Sequence, residues 1–317
     1  MTAPALTITF LGTGSGVPSL DRNLACVAIQ RQGELFLFDC GEAAQIQYRR
    51  AGLGFAPLRA ICISHLHGDH VTGLMGLLMS LQMAGRTEPL SLYGPPGLGE
   101  YIRCNRRTLN THFGYRLDLR EEAGPTVFLE TPDYRISSAP LDHRGHCLGF
   151  RLDEQSRPGR FDLERARELG VPAGPLYGRL QRGEAVELPD GRTVTPDQVL
   201  GADRPGAVLA YCTDTRPCAA ATELGRGADL LIHEGTFDAT MRDEAWKKGH
   251  STVADAAQVA LDAGARALVI THLSPRYLDV SPLLAQARAI FPSTRIARDL
   301  LRVDVHHRES DSVAGGQ

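Results

Sequence analysis

The stretch Ser64-His65-Leu66-His67-Gly68-Asp69-His70 carries the strongest information on the fold of this chain. It places three imidazoles and a carboxylate between His65 and His70. It follows Arg59-Ala60-Ile61-Cys62-Ile63, an apolar run that predicts a largely buried strand. Proteins of the α/β class tend to place their chemistry where such strands end. The stretch therefore predicts a functional site at the end of a buried strand.

The spacing within this stretch favours a metal site. Residues two apart in an extended chain share a face, so His65 and His67 can point at one ion. A helix is expected to begin near Asp69 and to turn Asp69 and His70 toward a second ion. Its apolar positions at helical spacing are Val71, Leu74, Met75, Leu78 and Leu81. Neutral imidazole and carboxylate suit Zn²⁺, and also Mn²⁺ or Fe²⁺, and the strand–turn–helix context argues against a surface cluster without metal.

Composition restricts the class of protein. The chain has 317 residues with 43% hydrophobic content, enough for one large domain or two half-domains. A net charge of −3 creates no general attraction to nucleic acid or membrane, so any role with RNA must rest on a local patch. The seven cysteines form no C-x-x-C pair, which argues against a disulfide framework or a structural zinc knot. With neither a signal peptide nor a long apolar run in the sequence, a soluble, cytoplasmic protein is expected.

The N-terminal half predicts strands at residues 6–11, 27–30 and 35–38. Gln32-Gly33 between the last two is a hairpin signal. The glycines of Gly12-Thr13-Gly14-Ser15-Gly16 fit neither a dinucleotide-binding nor a phosphate-loop fingerprint. They predict instead a loop in which backbone approaches closely near the active site.

The C-terminal half predicts three strands that each deliver a polar side chain. Residues 207–212 precede Asp214, residues 229–232 precede His233-Glu234, and residues 267–270 precede His272. This pattern predicts two packed sheets that share one active edge, with helices outside. A helix is expected over residues 251–263, capped by Ser251 or Thr252.

Four isolated residues are candidate partners of the histidine cluster. They are His143, Asp214, His250 and His272. A single histidine at a strand end is more often an ordinary satisfied polar residue than a ligand. Beside the dense cluster at residues 65–70, however, the four together are expected to belong to the same site.

A segment between the two halves, residues 151–204, has a different composition. It is rich in glycine, proline and charge, and its apolar residues are scattered. Within it, the run from Gly174-Pro175 to Gly183 holds Arg179 and Arg182 but no acidic residue. We expect an excursion from the core, such as a hairpin arm.

On these residues the chain resembles the metallo-β-lactamase superfamily and, within it, the ribonuclease Z family of tRNA 3′-processing endonucleases. The broader resemblance rests on His65-Leu66-His67-Gly68-Asp69-His70, His143, Asp214 and His272. The narrower one covers nearly the whole chain and rests on Phe10-Leu11-Gly12-Thr13-Gly14, Asp39-Cys40-Gly41-Glu42, Gly174-Pro175, His233-Glu234-Gly235-Thr236 and His250-Ser251-Thr252.

The resemblance implies an α/β fold, a four-layer αββα sandwich formed by one domain over residues 1–317, with an inserted flexible exosite arm at 151–204 that binds tRNA. It also implies two zinc ions per chain. The first would be held by His65, His67, His143 and Asp214, and the second by Asp69, His70, Asp214 and His272, with Asp214 bridging.

The resemblance further implies the roles of individual residues. A water activated by the metals would attack phosphorus, with Asp69 orienting the water or accepting its proton. His250, oriented by Glu234, would donate a proton to or stabilise charge on the leaving oxygen. The substrate would be precursor tRNA, gripped across a homodimer, and the tRNA product would keep a free 3′-hydroxyl. The implied substrate-binding residues of the arm are Gly174, Pro175, Tyr177, Arg179 and Arg182.

Other interpretations of the same residues stay open. Another phosphodiesterase or an arylsulfatase-like hydrolase of this fold would share the metal site but lack the arm. A non-catalytic RNA-binding module would not require the complete ligand set. One departure from the family concerns Pro18-Ser19-Leu20-Asp21-Arg22-Asn23, where Leu20 replaces the family's frequent lysine. The cleavage position and the response to an encoded CCA end therefore stay open.

Overall fold

The computed structural model describes residues 3–308. The first of its two large sheets has seven strands. Its strands, in spatial order, are β16 (Arg302–Val305), β1 (Leu6–Gly12), β2 (Cys26–Arg31), β3 (Glu34–Phe38), β4 (Leu58–Cys62), β5 (Leu90–Gly94) and β6 (Leu117–Glu121). The strands from β16 to β3 pair antiparallel, and those from β3 to β6 pair parallel. The predicted hairpin is confirmed: Gln32 and Gly33 link β2 and β3 with positive φ angles of 44° and 85°, as a tight two-residue turn requires.

A second seven-stranded sheet comes mainly from the C-terminal half. Its spatial order is β15 (Thr294–Ile296), β14 (Leu268–Thr271), β13 (Leu230–Glu234), β12 (Val208–Cys212), β9 (Leu148–Glu154), β8 (Tyr134–Pro140) and β7 (Thr126–Glu130). The strands from β12 to β15 are parallel, so their carboxyl ends meet at one edge of the sheet. Polar residues that follow these strands are thereby brought together.

Aromatic side chains fill the space between the two sheets. Phe38 of β3 packs against Phe150 of β9 and Tyr211 of β12, with ring centroids 5.1 and 5.6 Å apart. Phe36 meets Tyr134 of β8 edge-on at 5.5 Å. Burial of these large rings on both facing surfaces holds the sheets face to face.

Helices cover the outer face of each sheet. Apolar residues of α1 (Ala44–Arg50), α3 (Leu74–Met83) and α4 (Leu98–Thr108) form one buried cluster with the first sheet. Those of α7 (Ala219–Gly225), α9 (Val253–Asp262) and α10 (Ser281–Ile290) form another with the second sheet. The predicted four-layer αββα sandwich is confirmed. Of the two caps considered for α9, Thr252 is the one used, in a reciprocal box with Asp255.

The helix expected near Asp69 is divided in two. A single turn, α2 (Gly68–Val71), is followed by α3, which begins at Leu74. The interruption lies where the chain passes over the turn that follows β3. There the Gly73 amide donates to the Cys40 carbonyl at 3.0 Å instead of continuing the helix. A Cβ atom at Gly73 would lie 1.9 Å from the Gly41 oxygen, so this crossing requires glycine.

The described chain divides into two compact units, residues 3–153 with 208–306 and residues 154–207 with 307–308. The smaller unit contains α5 (Leu163–Glu168), α6 (Pro175–Gln181) and a short hairpin of β10 (Val186–Glu187) and β11 (Thr193–Val194). It has an apolar cluster of its own: Ala166, Val171, Leu180, Val186, Leu188, Val194 and Val199. Among residues 3–308, no helix is both long and apolar enough to cross a bilayer.

Candidate metal centre

The predicted metal ligands converge where strands of both sheets end. His65 and His67 follow β4 in extended conformation, and His67 caps the first turn that carries Asp69 and His70. His143 lies in the loop between β8 and β9, whereas Asp214 follows β12 and His272 follows β14. His272 adopts a left-handed backbone with φ 57°, which turns the chain sharply as it leaves the strand.

A first group of donor atoms surrounds one point. His65 Nε2 lies 3.0 Å from His67 Nδ1, which in turn lies 3.3 Å from His143 Nε2. Asp214 Oδ2 is 3.6 Å from His65 Nε2 and 3.8 Å from His143 Nε2. All four ligand atoms lie within 4.8 Å of one another.

A second group lies on the other side of Asp214. His272 Nε2 is 3.1 Å from His70 Nε2 and 3.3 Å from Asp69 Oδ2. Asp214 Oδ1 lies 3.2 Å from His70 Nε2 and 3.1 Å from His272 Nε2. The two carboxylate oxygens of Asp214 therefore face different groups, which is the arrangement that a bridging ligand needs.

The spacing of these atoms fits a transition-metal ion. Tetrahedral bonds of about 2.0–2.1 Å separate neighbouring ligand atoms by about 3.3 Å. The contacts in both groups, from 3.0 to 3.8 Å, scatter around this value. Imidazole and carboxylate donors without a thiolate suit Zn²⁺, Mn²⁺ or Fe²⁺. This part of the fold contains a His/Asp cluster that can bind metal ions.

Hydrogen bonds on the far side of the rings fix the histidine orientations. His70 Nδ1 donates to Asp39 Oδ2 at 2.8 Å, and His143 Nδ1 donates to the Gly249 carbonyl at 2.7 Å. His272 Nδ1 lies 3.0 Å from Thr236 Oγ1. In each of these rings Nε2 is left to point inward, as is typical of metal-binding histidines.

Asp39 belongs to a motif that carries the family resemblance, but the sequence indicated no role of its own for it. It is fully buried, follows β3 with φ 60°, and accepts hydrogen bonds from the Ser64 amide, the Ser64 hydroxyl and the Tyr211 hydroxyl as well as His70. The available signal was a carboxylate directly after a buried strand, in Asp39-Cys40-Gly41-Glu42. Nothing in the sequence around Tyr211, which lies in β12, indicated that its hydroxyl would contact Asp39.

The carboxylates of the site are held in their charged form. Burial opposes the charge of Asp214, but His272, His70 and His65 outweigh burial and keep its pKa well below the ordinary value. Burial also opposes the charge of Asp69. A hydrogen bond from His272 and the charge of His70 outweigh burial, so the pKa of Asp69 lies below its ordinary value. Burial and the neighbouring His70 lower the pKa of His65, which favours the neutral form that binds metal.

The buried Glu234 pairs with the partly buried His250 beside the second group. Glu234 Oε1 accepts from His250 Nδ1 and from the Thr215 amide, both at 2.9 Å. Its Oε2 accepts from the Thr236 hydroxyl at 2.6 Å. Burial disfavours a charged His250, but the Glu234 carboxylate outweighs this and raises the His250 pKa to about 9. With Nδ1 held by Glu234, Nε2 is the ring atom left for a substrate.

A cleft of about 350 Å³ opens onto these groups, lined by Ser15, Gly16, Asp69, Asp214, His250 and His272 among others. The glycine-rich loop reaches it as predicted, because the Gly16 amide donates to Asp69 Oδ2 at 2.7 Å. The predicted close approach of backbone occurs at Gly12, where a Cβ atom would lie 1.8 Å from the Leu24 oxygen.

The loop that departs from the family pattern is anchored at one end. The Arg22 guanidinium donates to Thr13 Oγ1 and to the Ala297 carbonyl, and Asn23 donates twice to Asp299. Leu20, in contrast, is fully exposed. The leucine that replaces lysine thus lies on an exposed part of a loop whose following residues are fixed.

The predicted arm residues lie in the smaller unit and have local partners. Arg179 and Arg182 both contact Glu184, at 3.0 and 3.2 Å, and this acid lies just beyond the run from Gly174 to Gly183. The Tyr177 hydroxyl donates to the Val171 carbonyl, and its ring lies 5.0 Å from that of Phe161. Gly174, with φ 137°, precedes Pro175 at the start of α6.

Comparison with known proteins places this chain in a family. The profile described as Anti-Pycsar protein Apyc1 matches residues 6–111, and that of the Beta-lactamase superfamily domain matches residues 185–273. Human tRNase Z, short form, superposes with a TM-score of 0.68 at 25% identity, over 94% of this chain and 99% of that one. The metallo-beta-lactamase fold protein YhfI of Bacillus subtilis gives 0.67 at 19% identity over 94% and 99%, a likeness of fold alone.

Two curated relatives extend the match over nearly the whole sequence. Ribonuclease Z of Acaryochloris marina is 48% identical over 308 residues, which cover 95% of this chain and 98% of the relative. Ribonuclease Z of Microcystis aeruginosa is 44% identical over 315 residues, or 97% and 99% of the two chains. The chain therefore belongs to the ribonuclease Z family of the metallo-β-lactamase fold.

Proposed function

We propose that the protein is a metal-dependent endoribonuclease that removes the 3′ trailer from precursor tRNA and leaves a 3′-hydroxyl on the tRNA. One observation carries the proposal: two ligand groups share Asp214 in a chain whose relatives, 44–48% identical, are named ribonuclease Z. We place the reaction in the cytoplasm.

We further propose two Zn²⁺ ions per chain. His65, His67, His143 and Asp214 would hold one; Asp69, His70, Asp214 and His272 would hold the other. When bound, the metal pair lowers the pKa of water and stabilises the negative charge that develops on the phosphate. The same donor set is compatible with Mn²⁺ or Fe²⁺.

Two carboxylates and a histidine direct the proton transfers. Asp69, aligned by the Gly16 amide, orients the attacking water or accepts its proton. As the new oxygen–phosphorus bond forms, the bond from phosphorus to the 3′-oxygen of the tRNA breaks. His250 donates the proton that this oxygen requires, and Glu234 stabilises the protonated ring before transfer. The trailer leaves with a 5′-phosphate.

The smaller unit supports recognition of the tRNA body. Surface ion pairs such as those between Glu184 and Arg179 or Arg182 are weak, so both guanidinium groups can exchange this partner for phosphate. Gly174, Pro175 and Tyr177 shape the helix that presents them. We propose that a homodimer presents this unit to the tRNA.

A second candidate is another phosphodiesterase of this fold. It is favoured by the Anti-Pycsar protein Apyc1 profile, whose match over residues 6–111 includes His65 to His70. Such an enzyme would hydrolyse a small phosphodiester through the same metal centre, with no need for tRNA.

The test is incubation of the purified protein with a 3′-extended precursor tRNA, with both product ends mapped. The proposal expects a tRNA with a 3′-hydroxyl and a trailer with a 5′-phosphate, and no cleavage by His67→Ala, which lacks a ligand. An intact precursor in a preparation that hydrolyses cyclic nucleotides would establish the second candidate instead.

A further inference from the structure

The helix α8 (Arg242–Lys248) carries an exposed tryptophan beside the metal centre. Trp246 is the only tryptophan of the chain and is 56% exposed. It is followed by Lys247 and Lys248, the only two lysines in a sequence whose other basic residues are arginines. A large aromatic ring gains little stability from so exposed a position, so burial gives little reason for a tryptophan here.

Two arginines are fixed at the end of the helix that carries this ring. The Arg216 guanidinium carbon lies 5.3 Å from the centre of the Trp246 ring, and its Nε donates to the Trp246 carbonyl at 2.7 Å. Arg216 Nη1 also donates to Asp142 at 2.9 Å. Arg144 Nη2 donates to the Lys247 carbonyl at 2.9 Å. Both guanidinium groups thus cap the carboxyl end of α8, which holds them in place.

We call Trp246, Lys247, Arg144 and Arg216 the α8 surface. Among the described residues, the carboxylate that pairs with a cation of this surface is Asp142, which contacts Arg216. Glu244 on the same helix pairs instead with Lys248, which lines the cleft. The cations of the α8 surface outnumber its paired acid, so it is a local positive patch on a protein of net charge −3.

The α8 surface is joined directly to the metal centre. His143, a predicted ligand, lies between Asp142 and Arg144, and its Nδ1 donates to the carbonyl of Gly249 just after α8. The His250 amide donates to the Ala245 carbonyl at 2.9 Å. Trp246 therefore lies at the end of α8 that leads directly to His250, four residues along the chain.

We propose that Trp246 stacks on the base of the nucleotide that ends the mature tRNA, while the neighbouring cations contact its backbone. An aromatic face flanked by guanidinium groups suits a base and phosphate of single-stranded RNA. The inference rests on the proposed function, which puts the departing 3′-oxygen next to His250. The nucleotide that bears this oxygen then lies on the α8 side, and the trailer lies across the phosphorus from it.

The first test uses two precursor tRNAs that differ by one base. One is natural, and the other has an abasic ribose as the last nucleotide before the cut. The wild-type protein is expected to lose about 10-fold in kcat/KM on the abasic precursor, mainly through KM. Trp246→Ala is expected to show that loss on the natural precursor and no further loss on the abasic one. Trp246→Phe retains a ring and is expected to recover most of the difference.

Leu261→Ala is the matched control, because Leu261 is an apolar residue on α9 that is 50% exposed. It is expected to distinguish the two precursors as the wild type does. Equal cleavage of both precursors by the wild type, or undiminished discrimination by Trp246→Ala, would overturn the inference while leaving the proposed function intact. A natural precursor that stays uncut would overturn both.

The single tryptophan also provides a direct signal in the unmodified protein. Stacking of a base on Trp246 is expected to quench the intrinsic fluorescence when mature tRNA with a 3′-hydroxyl is added. A trailer oligonucleotide with a 5′-phosphate is expected to leave it unchanged. Quenching by the trailer and not by the tRNA would place the ring on the other side of the cut and contradict the assignment.

Discussion

At the scale of single residues, the candidate metal centre depends on side chains outside the two ligand groups. Asp39 holds the Nδ1 proton of His70, and Glu234 holds that of His250, so two buried carboxylates fix which nitrogen each ring presents to the candidate site. The sequence indicated that Glu234 orients His250 only through family resemblance, and it indicated no role for Asp39. The reason is physical: the partners of Asp39 come from Ser64 and Tyr211, and no local pattern shows which distant side chains meet.

Asp39→Asn replaces the acceptor of the His70 proton by an amide of similar shape. We expect affinity for the second metal to fall about 10- to 100-fold, since partners of ligating histidines typically contribute this much. Competition with a chromogenic chelator measures it, and a thermal melt with saturating zinc checks folding. Asp304→Asn, which alters an exposed pair with Thr7, is the control. Equal affinities in the two variants would show that Asp39 does not orient the ligand.

Glu234→Gln tests the proton donor through the pH dependence of cleavage. A carboxylate next to His250 favours the charged ring and raises its pKa to about 9, so the active, protonated form is lost as pH rises through that value. Without the charge the His250 pKa falls, and the alkaline decline in kcat is expected to begin at lower pH. Glu244→Gln, which removes only the exposed partner of Lys248, is expected to keep the wild-type profile. An unshifted decline in Glu234→Gln would remove His250 as the donor.

At the scale of elements, the sequence predicted strands better than the joints between helices. Alternation and apolar runs were enough to predict β1, β3 and β4, because burial of a strand depends on its own side chains. The division between α2 and α3 was missed, since its cause is a contact with the turn at Cys40-Gly41. Likewise the run from Gly174 to Gly183 gave no sign that Glu184 would pair with both arginines.

Gly73→Ala is expected to destabilise the fold by about 1–3 kcal/mol, the usual cost of forcing an atom into a packed site. The added Cβ would lie 1.9 Å from the Gly41 oxygen, so backbone must move. Urea unfolding measures the change. Gly124→Ala is the control, because a Cβ there meets nothing within 4 Å. Equal stability of the two variants would mean that the crossing at Gly73 is not closely packed.

The double variant Arg179→Ala, Arg182→Ala tests the smaller unit as a phosphate-binding element. We expect a higher KM for precursor tRNA and a shallower dependence of binding on salt, by about one unit of slope for each phosphate that the variant no longer neutralises. Hydrolysis of bis(p-nitrophenyl) phosphate by the wild type and the variant provides the comparison without tRNA. Arg192→Ala, which breaks another exposed pair in this unit, is the control. Parallel losses on both substrates would contradict a role in tRNA recognition.

At the scale of the whole molecule, the sandwich brings together predicted ligands that are far apart in sequence. The cluster at residues 65–70 follows a strand of the first sheet, and Asp214 and His272 follow strands of the second. The sequence predicted two sheets with a shared edge, which is confirmed. It could not show that the two oxygens of Asp214 divide between the ligand groups, because that depends on how the sheets pack.

The metal content of the purified, unchelated protein tests this account most directly. Elemental analysis is expected to find two transition-metal ions per chain, and fewer in Asp214→Ala, which removes the ligand shared by both groups. Activity on precursor tRNA should disappear with a chelator and return with zinc. A protein that cleaves precursor tRNA at full rate with no bound metal would contradict the account.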